Sequence, residues 1–465
     1  MIKVIMWGTG ATAKQYINKY HKRMCDYVEI MAFIDNDEAK QKKRFYGYNV
    51  ISYEKVDDYE FDYIVIMNTY TKEIWKQIGK EIENDRIVIS SDQFFELFVN
   101  TGYWEDKRVL FYGDGMRFDL VEYRAQFTFK TVQYVKTGGL GSVTDFDVVF
   151  LCPPRLLDQH GTLTYEEKLR IDIHEKMDIE DEHILGIGEW RYYLQCDRRI
   201  KGGSQNGNKN FFIIGALDPM QGWGNILLRV LGGITYARNH HMIPIVDMQS
   251  IKNQYLPEGL VGVHNAWEDF FEQVSRFDIS EVYCSRNIIL SGINTHIDCL
   301  MDAGDIDYRK NVVQLLERAY KVLFPEKEKV LGVVYRGTDY NVVYSHTTPW
   351  KLTEYISYIR HYNEKIGYGY IFLATEVEEA VVAFKKEFGN KVFWVEQQRY
   401  PASERRWLYS IHFDRENDEF KKGMEYITVL ELLSRCDAIV GTNSGTVRAA
   451  IVLNKNQYEH INILE

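Results

Sequence analysis

The stretch Val330-Leu-Gly-Val-Val-Tyr-Arg336-Gly-Thr-Asp-Tyr-Asn341 runs an apolar segment straight into an arginine, a glycine turn and an aspartate. Val330, Leu331, Val333 and Val334 read as a core strand bounded by turn residues, so Arg336 falls where that strand emerges. In an α/β sheet the carboxyl ends of the strands border the crevice where ligands bind, and a planar guanidinium matches a phosphate. A nucleotide or sugar nucleotide is the first ligand this suggests. The same residues also fit an ordinary strand followed by a surface arginine paired to Asp339, so the neighbouring segments must decide.

About a hundred residues later, Tyr426 to Arg448 reads as a helix, a short strand from Ala438 to Val440, a polar glycine turn and a new helix opening at Thr446. A helix opening presents unpaired N–H groups and a partial positive charge, so Thr442, Asn443, Ser444 and Gly445 suit an anion. Ser, Thr and Asn are also what any helix start takes as a cap. Between these segments, Tyr370-Ile-Phe-Leu-Ala-Thr-Glu376 is another apolar strand, followed by a helical pattern through Phe384. Three consecutive strand ends therefore point polar groups at one edge.

The spacing of Arg336, Thr338 and Asp339, the Ala-Thr-Glu376 strand end, and Leu-Ser-Arg-Cys-Asp-Ala-Ile-Val-Gly-Thr-Asn-Ser444-Gly resemble the three donor-site motifs of the GT-B fucosyltransferase superfamily. That superfamily includes the α-1,6-, α-1,2- and protein O-fucosyltransferases, and its bacterial surface-polysaccharide members match best. Gln221-Gly-Trp-Gly-Asn225 with the helical run after it is similar to the superfamily's Gly-x-Gly-Asn loop, and Asn265 to Phe271 also looks like the bacterial enzymes. The resemblance covers about residues 209 to 465. It implies two Rossmann-like lobes, and transfer of fucose from GDP-fucose to a bacterial glycan by an inverting, metal-independent route.

By the same resemblance, Arg336 grips the donor diphosphate, Glu376 reads the guanine edge, Thr442 and Ser444 match the turn that holds phosphate, and Thr338, Asn443 and Gly445 belong to the donor site. Gly224 and Asn225 face the donor from the other lobe, and Asp339 braces the arginine loop or the sugar. The chain departs from the pattern at Val334, where many members have histidine, at Gly337, where many have a second arginine, and at Gly445 and Arg448 in the turn. An inverting transfer requires the acceptor hydroxyl to lose its proton. His346, Asp339 and Glu404 are the candidate bases. His346 is equally readable as a loop histidine without a role, and Glu404 as a solvated loop residue.

At the front, Met1 to Ile5 reads as a strand running into Gly8-Thr-Gly10-Ala-Thr-Ala13, and Val28 to Ile34 as a second strand ending at Asp35. Glycines at a helix start with an acid after the second strand fit a Rossmann opening. Its ligand is a sugar nucleotide, a dinucleotide, or none. Lys3 to Gly10 is echoed by Arg108 to Gly115, which suggests a second small α/β unit. Gly202, Gly203, Ser204 and Asn206 to Lys209 read as a linker. The expected division is 1–105, Rossmann-like; 106–205, second α/β unit and linker; 206–325, acceptor-side lobe; and 326–465, donor-binding lobe.

With 465 residues, a single core is too small an account of the chain, and its 45% hydrophobic content lets each unit bury its own. A net charge of -11 argues against a nucleic-acid partner and against a polybasic membrane anchor. Lys40, Lys42, Lys43 and Arg44 form the only dense basic run and read as a solvated helix end. The six cysteines lack metal or redox spacing and suggest reduced thiols in a cytoplasmic protein. An opening strand without a signal peptide, and no apolar run approaching ~20 residues, leave only peripheral contact with an inner membrane. No metal or other cofactor is expected for transfer. Two other readings fit the sequence: the same fold with a different sugar nucleotide, and an NAD(P)-dependent oxidoreductase or nucleotide sensor centred on Gly8 and Gly10.

Overall fold

A computed structural model describes residues 2–24, 28–67, 74, 77, 87–90, 104–114, 129–143, 145–152, 165–186, 197–215, 221–292, 300–338, 350–404, 406 and 408–464. The chain is a multi-domain α/β protein. It divides into two compact units, Met1–Gly202 and Gly203–Glu465.

The first unit holds two sheets. Strands β1 (Ile2–Trp7), β2 (Val28–Ile34), β3 (Arg44–Phe45), β4 (Tyr48–Ile51), β5 (Tyr63–Ile66) and β6 (Ile87–Ser90) lie in the order β3-β4-β2-β1-β5-β6. All pairings are parallel except the β3–β4 hairpin. The middle strands are near-continuous apolar runs because both faces are covered, and Val4, Ile5 and Met6 are fully buried. Helix α1 (Ala11–Met24) follows β1, and the single turn α2 (Glu38–Gln41) follows β2.

The second sheet, in the order β10-β9-β7-β8, is built from β7 (Arg108–Tyr112), β8 (Thr131–Val135), β9 (Val148–Leu151) and β10 (Ile184–Leu185), with α3 (Tyr165–Lys176) between the last two in sequence. The echoed segments thus open two separate parallel sheets. Both leave their first strand through a glycine in the left-handed region, Gly8 at φ 118° and Gly113 at φ 131°. At Gly113 a Cβ would also run into the carbonyl of Cys152. Strand β11 (Asp197–Lys201) ends this part of the chain.

In the second unit, β12 (Gln205–Gly215) pairs in parallel with β13 (Ile243–Asp247) on one side and β14 (Ser285–Ser291) on the other, with α4 (Trp223–Asn239) and α5 (Ile279–Tyr283) as crossovers. After α6 (Lys310–Leu323) comes a five-stranded parallel sheet in the order β17-β16-β15-β18-β19. Its strands are β15 (Val330–Tyr335), β16 (Tyr370–Thr375), β17 (Val392–Phe393), β18 (Ala438–Thr442) and β19 (His460–Leu464), interleaved with α7 (Leu352–Ile366), α8 (Glu378–Phe388), α9 (Asp418–Ser434) and α10 (Gly445–Leu453).

Two local expectations change. Residues Asn206 to Lys209, read as linker, belong to β12. Their polar side chains and backbone are taken up by neighbours: Asn206 donates to Glu281 and Ser285, both at 3.1 Å, and Asn287 donates to the carbonyls of Gly207 and Lys209. The last helix starts at Gly445 rather than Thr446 because Ser444 is its cap.

Helix α4 and the four-stranded sheet beneath it share a core with α9 and α10, the helices that flank β18. Trp223, fully buried, stacks on Tyr255 with ring centroids 4.8 Å apart and packs against Trp267, Phe270 and Phe271. Phe270 in turn lies directly against the backbone of Gly423 in α9. Replacing a helical glycine by alanine ordinarily gains about 0.5–1 kcal/mol. Here overpacking against a ring held on all sides costs about 1–3 kcal/mol, so Gly423→Ala is expected to lower the thermal unfolding midpoint. An unchanged or higher midpoint would mean that the Phe270 ring is free to yield.

Candidate functional site

Taken in chain order, the strands of the five-stranded sheet lie 3-2-1-4-5, so the direction of winding reverses between β15 and β18. In such sheets this reversal opens a crevice at the carboxyl ends of the strands. Strand β15 is central: Tyr335 is level with Thr375 of β16, and Val334 with Gly441 of β18. Arg336, Glu376 and Asn443 each follow one of these three neighbouring strands within two residues.

Glu376 is 7% exposed and Thr338 is fully buried. One Glu376 oxygen, Oε1, accepts from the backbone N–H of Gly337 and from the hydroxyl of Thr338, each at 3.0 Å. The other, Oε2, lies 3.4 Å from Arg336 Nε. Burying a carboxylate is costly unless it is paired and hydrogen-bonded, and here the partners are the arginine and the loop that carries it. The guanine-reading role expected for Glu376 therefore meets a carboxylate already committed to the Arg336 loop. The backbone around it is fixed as well. Tyr400 N–H donates to the Glu376 carbonyl and Glu378 N–H to the Tyr400 carbonyl, both at 2.9 Å.

Thr442 ends β18 and is buried, Asn443 is exposed, and Ser444 is buried with its hydroxyl accepting from Val447 N–H at 3.4 Å. Ser444 thus acts as an N-cap, while Asn443 faces outward. The start of α4 meets this turn. A Cβ on Gly224 would lie 2.6 Å from the carbonyl carbon of Gly445, and one on Gly445 would collide with Asn225 Oδ1. Two helix openings are brought together there, with Tyr426 hydrogen-bonded to Thr446 at 2.8 Å beside them.

Sequence reasoning missed Tyr255. Its buried hydroxyl accepts from Trp223 N–H, the first amide of α4, at 3.1 Å. Burial, and then the neighbouring Tyr426, push its pKa well above the ordinary tyrosine value, while the charge of Arg336 opposes that rise. It remains a neutral phenol within electrostatic reach of the arginine. No periodicity marks such a residue, because only the return of the chain beneath α4 gives it a role.

Asp339 and His346 lie outside the described residues. Glu404 is clamped by Arg406, which donates to it from its backbone N–H at 2.9 Å, from Nε at 3.0 Å and from Nη2 at 2.7 Å. This favours a structural role over that of a base. In the first unit, Gly8 and Gly10 flank the start of α1 as expected, but Asp35 is engaged. Its carboxylate accepts from the Thr9 hydroxyl and N–H, from Asp37 N–H at 3.0 Å and from Lys40 at 3.1 Å. Burial works against ionisation, yet these donors hold the carboxyl below its ordinary pKa. The carboxylate expected to meet a ribose thus already carries donors from Thr9, Asp37 and Lys40. Among the described residues, no helix is long and apolar enough to cross a membrane.

Residues 1–89 match the family model described as C2185-like, N-terminal. Comparison with curated proteins gave no match. Among solved structures the chain is similar to the α-1,6-fucosyltransferase NodZ soaked with GDP-fucose, at 15% identity over 53% of this chain and 92% of that one, with a TM-score of 0.36. It is also similar to fucosyltransferase NodZ from Bradyrhizobium, at 16% identity over 53% and 93% of the two chains with a TM-score of 0.37. A third similarity is to POFUT1 in complex with GDP, at 10% identity over 60% and 80% with a TM-score of 0.24.

The geometry makes Glu376 the support of the arginine loop. Glu376→Ala removes the acceptor of two donors and the partner of a cation, and is expected to cost about 1–3 kcal/mol in denaturant unfolding. A loss below about 0.5 kcal/mol would show that the loop holds itself without the carboxylate.

Proposed function

We propose that this protein is a glycosyltransferase that moves fucose from GDP-fucose to a bacterial glycan such as a capsule or O-antigen unit. The observation that carries the reading is the junction at the β15–β18 reversal. There a guanidinium braced by a buried carboxylate lies at the same sheet edge as a serine-capped helix opening, which abuts the Gly-Trp-Gly-Asn225 start of a second helix. The motif resemblance over residues 209 to 465 supports the choice of donor.

In the proposed reaction the bond between the anomeric carbon and the diphosphate oxygen breaks, and its electron pair leaves with GDP. The acceptor oxygen forms the new bond from the opposite face and gives its proton to a base, inverting the anomeric centre. Arg336 stabilises the charge that grows on the departing diphosphate, where a preorganised cation has its largest effect. The paired helix openings add backbone N–H groups to the same task. The transfer is proposed to need no metal. Asp339 and His346 remain the proposed bases, with Thr338, Thr442, Asn443 and Gly445 around the phosphates. Residues 206–325 form the proposed acceptor-side lobe and 326–465 the donor lobe, acting in the cytoplasm and, where the acceptor is lipid-carried, peripherally at the inner membrane.

Nucleotide release from GDP-fucose is expected in the presence of a glycan acceptor, and Arg336→Ala is expected to lower kcat about a hundred-fold or more. Calorimetry is expected to give tighter binding of GDP than of UDP. Equal binding of the two nucleotides would remove the donor assignment. Turnover that survives Arg336→Ala would remove the mechanism.

A further inference from the structure

The first unit contains a cleft of about 700 Å³ between α2, the β3–β4 hairpin and the 3-10 turn Tyr53–Asp58. Its floor is the buried pair Val50 and Ile51 at the carboxyl end of β4. Four cations line it: Lys42, Lys43, Arg44 and Lys55, all exposed, with Asp58 as the one carboxylate. Among the described residues, none of the four cations takes part in an ion pair or a side-chain hydrogen bond.

That is a choice the rest of the sheet does not make. Lys3 is held by Glu60 at 2.6 Å, and Lys40, the first member of the basic run, by Asp35 at 3.1 Å. A chain of net charge -11 has carboxylates to spare, yet this lining gathers four cations and one carboxylate. Like charges gathered on one lining create a local positive potential that attracts an anion.

We infer that this cleft is a binding site for a nucleotide-sized small molecule carrying two or more phosphate charges. The volume lies within the range of small-molecule sites. The guanidinium of Arg44 can take a phosphate through two parallel N–H groups, and the three lysines supply compact point charges around it. Asn49 and Tyr59, also on the lining, offer hydrogen bonds to hydroxyls or a base, and Val50 and Ile51 offer an apolar contact. The lining includes neither the Gly8–Gly10 turn nor Asp35, although Gln41 on its wall donates to the Asp35 carbonyl at 2.8 Å. It also does not depend on the transferase reading, because no residue is shared with the Arg336 region.

The phosphate can come from a free metabolite or from the headgroup of a lipid, and the test separates these sources. The full chain carrying Arg336→Ala, which disables the rear site, is titrated calorimetrically with inorganic diphosphate. It is also sedimented with vesicles of phosphatidic acid, whose phosphomonoester carries up to two charges, and of phosphatidylcholine. Diphosphate binding that weakens at least tenfold when Lys42→Glu and Arg44→Glu are added, without vesicle binding, supports a free phosphorylated ligand. Sedimentation with phosphatidic acid alone, lost in the same charge-reversed chain, supports a lipid headgroup. Because all four cations are exposed, the charge-reversed chain is expected to unfold at or above the midpoint of its parent without ligand. No binding in either arm, or binding indifferent to the charge reversal, overturns the proposal.

Discussion

A buried carboxylate has to be surrounded by donors, and that requirement organises the rear half of this protein. Glu376 stands at the end of one strand, while the groups that satisfy it, the Gly337 amide, the Thr338 hydroxyl and the Arg336 guanidinium, all stand at the end of the next. The interaction turns two loose strand ends into one unit. Removing either partner would leave the other charged and poorly solvated, so the pair persists together or not at all. The cation that results is held in place before any ligand arrives, which is the condition under which a charge helps a reaction most.

The same loop explains why part of the site could be read from the chain and part could not. Val330 to Val334, Tyr370 to Thr375 and Ala438 to Val440 are unbroken apolar runs of a kind that parallel strands require, so the elements were visible. Their polar ends identified an edge. Which end faces which depends on strand order, and no local pattern encodes that order. An acid after a strand fits a base edge or a neighbouring arginine equally well, and the bonds from Glu376 to Gly337 and Thr338 follow from the register of β15 against β16, which no local pattern gives.

Other differences have similar causes. Gly-Asn-rich sequence at 206–209 looks like a linker because those residues seldom build strands. It becomes strand because Asn287 and the Asn206 side chain satisfy groups that a solvent-facing linker would leave to water. Asp35 has the sequence position of a ribose acceptor, but Lys40, only five residues on, returns to neutralise it. Tyr255 gave no signal at all. Its role arises from a stacking partner 32 residues away, whereas sequence periodicity reports only which face of an element is apolar.

The contact between Gly224 and Gly445 has a bearing on how such a protein can diversify. Gly224 lies against the backbone of Gly445, and Gly445 against the Asn225 side chain, so a side chain at Gly224 would force the two helix starts apart. Changes in ligand preference must then be drawn from residues around that seam, such as the outward-facing Asn443, while the seam itself stays constant as a ruler against which the surrounding loops are measured.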